Sequence, residues 1–277
     1  MASSRSLNTV DMDADAAAGA RKLVARLRTM ANPRNVEGMA RYGINPTGTL
    51  GISVRKLREL AGELGRDHAL ALALWKSGVH EARLLAAFVD DLAEVTEAQM
   101  DAWAEDFDSW DVCDEVTTDL FDKTRHAYKK VLEWSTRDEE FVKRAAFSTI
   151  AGLAAHDRQA GDKVFEGLLD VIRAASTDER NYVRKAVNWA LRNIGKRNLA
   201  LNRAAIRTAR EILALDTKSS RWIARDALRE LEGDKVQARL NSRAECCRLL
   251  RPKGAADGRT ARQRRTPQCP GGTTSGR

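Results

Sequence analysis

Phe141-Val142-Lys143-Arg144-Ala145-Ala146, Tyr182-Val183-Arg184-Lys185-Ala186-Val187 and Trp222-Ile223-Ala224-Arg225-Asp226-Ala227 follow one pattern. Each opens with an aromatic residue and a β-branched one, then two mostly polar or basic positions, then small apolar residues. Their starts lie 41 and 40 residues apart. A looser version stands earlier, at Val79-His80-Glu81-Ala82-Arg83-Leu84-Leu85-Ala86. The apolar positions inside each unit recur at helical spacing, and no stretch alternates with the period of two that a half-buried strand needs.

Reading outward from these units, the whole chain is helical. Periodicity starts near Asp15 and runs through Leu23, Val24 and Leu27 to Met30, where Asn32-Pro33 stops it. Val36 to Tyr42 forms a short segment, followed by a connecting loop from Gly43 to Gly51. That loop has the spacing of neither a P-loop nor a dinucleotide fingerprint. Ser53 caps a helix through Leu57, Leu60 and Leu64, closed by Gly65. His68–Trp75 and His80–Leu92 form a pair broken at Gly78. Thr96-Glu97-Ala98-Gln99 reads as a capping box, and Thr136-Arg137-Asp138-Glu139 and Ser176-Thr177-Asp178-Glu179 have the same form. A period near ~40 residues built of helix pairs is the signature of HEAT-type repeats. One pair cannot bury its apolar stripe alone, so pairs stack into a curved solenoid with a concave face. The expectation is an all-α, HEAT-like solenoid over residues 15–236, with a disordered leader at 1–14 and a disordered basic tail at 237–277.

Charge supports that division. The chain carries a formal +8, and residues 238–277 hold 10 basic and 2 acidic residues, so the tail accounts for all of it. The preceding residues are neutral overall, and a body that binds a polyanion must sort its charges onto faces. Arg144, Lys185 and Arg225 sit three residues after each aromatic. Stacked repeats would line them up as a polyanion track; alternatively they are solvated charges or ion pairs between repeats. The tail either adds non-specific DNA affinity or is an incidental extension.

No apolar run approaches the ~20 residues that cross a bilayer. The first 18 residues have no apolar core and carry Asp11, Asp13 and Asp15, unlike a secretory signal. A cytoplasmic location is expected. The four cysteines lack paired zinc-site spacing, and Cys113 reads as a buried, inert thiol. His68, His80, His126 and His156 offer no ligand pair at helical spacing, so neither metal nor other cofactor is expected. His80, Glu81 and Arg83 read as a polar network between helices.

What remains is an aromatic residue beside a carboxylate. Trp110 and Asp114 are four apart and share a helical face, and Trp189 follows Lys185 by four. Core packing is one reading of these tryptophans; a basic groove is the other. A tryptophan face attracts a cation such as an alkylated base. A carboxylate near a sugar stabilises the positive charge that develops at C1′ as an N-glycosidic bond breaks.

The ordered set Met39-Ala40-Arg41-Tyr42, Leu50-Gly51-Ile52, Leu74-Trp75 with Glu81, Ser109 to Asp114, Lys143 to Ala146 and Lys185 to Arg192 resembles the bacterial AlkD-like DNA alkylation repair glycosylases. The resemblance covers roughly residues 20–232. It implies a monofunctional glycosylase that cradles duplex DNA and releases cationic N3- and N7-alkylated purines without flipping the base. It assigns catalysis to Asp114, lesion contacts to Trp110 and Trp189, a backbone contact to Arg144, and a site position to Tyr42. Lys143, Arg184, Lys185 and Arg225 are candidate phosphate contacts. Ser109 stands where an extra tryptophan can occur in the family, and the basic tail has no counterpart there. A monomer is expected. Two rivals stay open: a non-catalytic module for damaged or branched DNA, and a protein-interaction scaffold.

Overall fold

The computed structural model describes the backbone of residues 3–249 and the side chains of residues 14–246. Fourteen α-helices follow in order: α1 (Ser3–Thr29), α2 (Pro33–Arg41), α3 (Val54–Leu64), α4 (His68–Trp75), α5 (His80–Val89), α6 (Glu97–Glu105), α7 (Trp110–Asp119), α8 (Ala127–Trp134), α9 (Glu140–His156), α10 (Asp162–Ala174), α11 (Asn181–Gly195), α12 (Leu199–Ala214), α13 (Lys218–Leu231) and α14 (Asp234–Leu249). No strand occurs among the described residues. None of these helices is long and apolar enough to cross a membrane.

Helices α3, α5, α7, α9, α11 and α13 form one row in which each packs on the next. In the second row, α4, α8, α10 and α12 back onto it, and only α10 and α12 pack closely on each other. Where one row is tight and the other splayed, the tight row lies inside the bend. The HEAT-like solenoid therefore turns the free face of α5 to α13 toward its concave side. The repeat units open α9 and α11 within their first turn and lie one turn into α13.

Tryptophan placement follows the two rows. Trp75 and Trp103 stack face to face, centroids 4.0 Å apart, and Trp134 is buried beyond Phe121. Their indole N–H groups reach carboxylates at the core edge: Trp75 donates to Asp106 and Trp134 to Asp101, each at 2.9 Å. Trp110, Trp189 and Trp222 sit on α7, α11 and α13 of the inner row, and none is buried.

Several boundaries differ from the sequence reading. α1 takes in most of the expected leader, since neither Gly nor Pro interrupts residues 3–18. α14 carries helix beyond 236, with Val236 and Leu240 buried and the helix packed on α12 and α13. The rest of the expected tail, residues 250–277, lies outside the described residues. Pro33 ends nothing by itself; it is the first residue of α2, with Asn32 as the cap.

Thr96 caps α6, accepting from the Gln99 N–H, but the Gln99 side chain turns to Asp90 rather than closing the box. The boxes at Thr136 and Ser176 do not form, and α9 and α11 begin later, after Glu139 and Arg180. The nearby acids serve the next repeat instead. Glu140 accepts from the Tyr182 N–H at the start of α11, at 3.3 Å, and Glu179 from the Ser219 N–H at the start of α13, at 3.0 Å. Each acid satisfies an orphan donor one repeat away and places its charge at the positive end of that helix. A local capping box forms at Thr217 and Ser220 instead.

The 43–51 loop is fastened at its C-terminal end by one side chain. Glu81, fully buried, accepts from the backbone N–H groups of Leu50, Gly51 and Ile52 at 2.8, 2.6 and 3.1 Å. Gly51 sits at φ 79° with the Asn32 carbonyl 2.4 Å from where a Cβ would stand. Removing the Glu81 carboxylate strands three backbone donors. Glu81→Ala is expected to destabilise the fold by about 3 kcal/mol or more; urea unfolding measures it, and a loss under about 1 kcal/mol would contradict this account.

Candidate functional site

Trp110 and Asp114 begin the site because α7 places them one turn apart on the same side. Behind them, Val112, Cys113 and Val116 are fully buried and lock the helix rotation. Arg144 reaches both residues from α9. Its Nε donates to Asp114 Oδ1 at 3.0 Å and its Nη2 to Asp114 Oδ2 at 2.7 Å. The guanidinium carbon lies 5.9 Å from the centre of the Trp110 ring. The remaining terminal nitrogen, Nη1, donates to the Tyr182 carbonyl at the start of α11, at 2.6 Å.

Ser148, one turn further along α9, donates to Asp114 Oδ1 at 3.0 Å and is itself 2.7 Å from the Thr117 hydroxyl. Asp114 thus accepts from three donors at once, which only a carboxylate does well. Burial pushes its carboxyl above the ordinary aspartate range, while Arg144 and Ser148 pull the other way. Arg144 holds its proton more tightly than an ordinary arginine: burial, the largest single effect, opposes this, and the charge and hydrogen bonds of Asp114 together with Cys113 and Tyr182 outweigh it. About a fifth of the Asp114 side chain, 18%, remains open to solvent, against 5% of Arg144. The pair is an inward-facing clamp with the carboxylate on its accessible side.

The end of α2 closes over this cluster. The Trp110 indole donates to the Tyr42 carbonyl at 3.1 Å, and the Tyr182 hydroxyl donates to the Gly43 carbonyl at 3.0 Å. Gly43 has φ 77°, and a Cβ there would stand 2.6 Å from that hydroxyl. The Tyr42 ring itself is 79% exposed. Asn45 continues the contact, bonding through its side chain to Asp108 and through its backbone to the Ser109 hydroxyl. Beneath, His80 Nε2 lies 2.9 Å from Asp111. Burial works against both charges, yet their pairing raises the imidazole and lowers the Asp111 carboxyl. His80 and Glu81 are therefore the structural network expected, and Arg83 joins it above Trp75, its guanidinium 5.2 Å from the ring.

Other expected residues fall in different places. Trp189 is half-buried on α11, seven residues after Tyr182 and thus on the same face. Among the described residues no hydrogen bond joins its indole to the Asp114 cluster. Lys185 and Arg225 are exposed, Arg184 is partly buried, and Lys143 pairs with Asp178 at 3.6 Å. The expected in-register stripe is broken at Arg144, which is buried and has all three guanidinium nitrogens engaged. Asp114, on the neighbouring helix of the inner row, draws Arg144 inward. Cys113 is buried, and burial pushes its thiol well above the ordinary range.

Tyr182 was the residue missed. Sequence presents it only as the aromatic of a repeat unit, yet it supports Arg144 with its carbonyl, Gly43 with its hydroxyl and Phe141 with its ring, 5.4 Å between centroids. Glu115 faces the opposite flank of α7, where burial and Asp119 push it up to about 7 despite Arg58. It belongs to a second cluster beside a cavity of about 480 Å³ lined by Arg58, Arg66, Phe88, Asp119 and Lys123.

A family described as "DNA alkylation repair enzyme" matches residues 23–231 of the chain. No curated protein matches it. Among solved structures, one described as a new family of proteins related to the HEAT-like repeat DNA glycosylases, with affinity for branched DNA structures, superposes with a TM-score of 0.63. It is 16% identical, over 69% of this chain and 82% of that one, a likeness of fold. A designed armadillo repeat protein in complex with a (KR)4 peptide gives a TM-score of 0.33 at 14% identity, over 73% of this chain and 85% of that one.

Removing Arg144 leaves a half-buried carboxylate without its cation. Arg144→Ala is expected to cost about 3–5 kcal/mol in urea unfolding. Asp114→Asn combined with Arg144→Ala should cost less than the two single changes added together. Strict additivity would show that the two side chains do not act as a pair.

Proposed function

The chain belongs to the DNA alkylation repair enzyme family, and from that premise we propose that it is a monofunctional glycosylase releasing cationic N3- and N7-alkylated purines from duplex DNA. One observation carries the reading: Trp110 and Asp114, from one family segment, and Arg144, from another 30 residues on, meet in one cluster on the inner row. A cationic purine is already a good leaving group, so no acid need protonate it. Asp114 supplies negative charge as C1′ becomes electron-deficient, and the same oxygen atoms can orient the attacking water. Trp110 and Trp189 offer ring faces to the cationic base. Arg144, Ser148 and Tyr182 act as positioning residues, fixing the carboxylate before DNA arrives.

Duplex phosphates rest on Arg184, Lys185 and Arg225. Lys143 joins them once Asp178 yields it. Tyr42 contacts the lesion-bearing strand from the end of α2. Because the developing charge is met from a groove, the base stays in the duplex and no flipping pocket is needed. The enzyme works as a monomer in the cytoplasm, with no cofactor, and residues 250–277 are dispensable for base release.

A second reading draws support from the clamp itself. Asp114 is already satisfied by three donors, which suits a module that binds unusual DNA without cleaving a bond. Duplex DNA carrying 7-methylguanine separates the two. The glycosylase releases free base, and Asp114→Asn should lower that release by about 10²–10³-fold while duplex affinity holds within a few-fold. Salt-sensitive binding without release would leave the binding module, and neither activity would leave a protein scaffold.

A further inference from the structure

We infer that Trp222 and the cations around it form a second DNA contact, at the far end of the groove, that stacks on an unpaired base. The inference rests on the DNA-binding reading above. On inner helices α5 to α13, most cations are committed to a carboxylate. Arg83 pairs with Asp108, Lys143 with Asp178, Arg144 with Asp114, Arg192 with Glu230, Arg221 with Asp216 and Arg229 with Asp226. Among the described residues of these helices, Arg184, Lys185, Lys218 and Arg225 have no such partner, and all four stand on α11 and α13.

Trp222 lies in their midst. On α13, Lys218, Trp222, Arg225 and Arg229 follow at spacings of four, three and four, one stripe of the helix. The Trp222 side is 38% exposed, while the repeat's other two aromatics, Phe141 and Tyr182, stack on each other. Arg184 approaches one face of the Trp222 ring at 4.8 Å and is held by Asn181 at 3.1 Å. That cation lies over one face of the ring, and the part of the residue still open to solvent is what a base would meet.

An exposed indole in a cluster of uncommitted cations has the composition of a single-strand stacking platform. The cations hold phosphates, and the ring takes a base face without regard to its identity. In a fully paired duplex every base face is already covered, so the ring gains nothing there. The platform therefore discriminates for DNA with a base out of its stack, such as a bulge beside the site.

The test uses the full chain and two fluorescent duplexes of the same sequence, one fully paired and one carrying a single bulged adenine. Wild type should bind the bulged duplex on the order of tenfold or more tightly. Trp222→Ala should erase that preference, Trp222→Phe should keep most of it, and both should retain fully paired binding and release of 7-methylguanine. Lys185→Ala should weaken binding to both duplexes alike and flatten the salt slope by about one. A wild type that binds and processes paired DNA but shows no preference, or a preference surviving Trp222→Ala, overturns this inference alone. A wild type that binds neither duplex overturns the DNA reading beneath it.

Discussion

One guanidinium ties the middle of the solenoid together. Arg144 stands on α9, holds a carboxylate of α7 and donates to the first turn of α11. Three successive inner helices are thereby set in register at their N-terminal ends, where the packing of small apolar residues alone would tolerate sliding. Burying an ion pair is seldom a net gain in stability, because desolvating both charges offsets their attraction. What it secures here is geometry. Neither partner can leave its position without exposing the other to an apolar wall.

The same arrangement explains why so much of the surrounding structure is polar yet buried. Ser148 and Thr117 extend the clamp inward, and His80 with Asp111 repeats it one helix earlier. Glu81, Glu140 and Glu179 each take backbone donors from a segment other than their own. Carboxylates are used throughout as connectors between repeats. A solenoid has no central core to hold distant segments, so contacts between neighbours must carry both stability and register.

Much of this was legible beforehand, and the failures share one cause. Helical period, the repeat and the common face of Trp110 and Asp114 are properties of local spacing, and they appear as read. Capping at Ser176 failed because Glu179 answers to a helix one repeat ahead. Arg144 occupies the same pattern position as Lys185 and Arg225, yet it turns inward because a carboxylate waits on the neighbouring helix. Tyr182 meets Gly43 across 139 positions of sequence. Sequence spacing reports what a residue's own helix does with it; these three outcomes are decided by a different element.

The balance of charge sharpens the role of the groove. A neutral body with most inner cations neutralised by acids has little long-range pull on DNA, unlike a uniformly basic surface. Among the inner helices α5 to α13, the uncommitted cations gather on α11 and α13, beside the half-open Trp189 and Trp222, while the one catalytic candidate lies on α7 under the end of α2. On the function proposed above, attraction and chemistry thus fall to different repeats. Phosphates would be drawn to one end, and the strand would then have to lie along the curve to reach Asp114. A carboxylate placed directly among those phosphates would meet like charge. Kept two repeats away and held by its own arginine, it would, on the glycosylase reading proposed above, stay available for the sugar carbon losing a base.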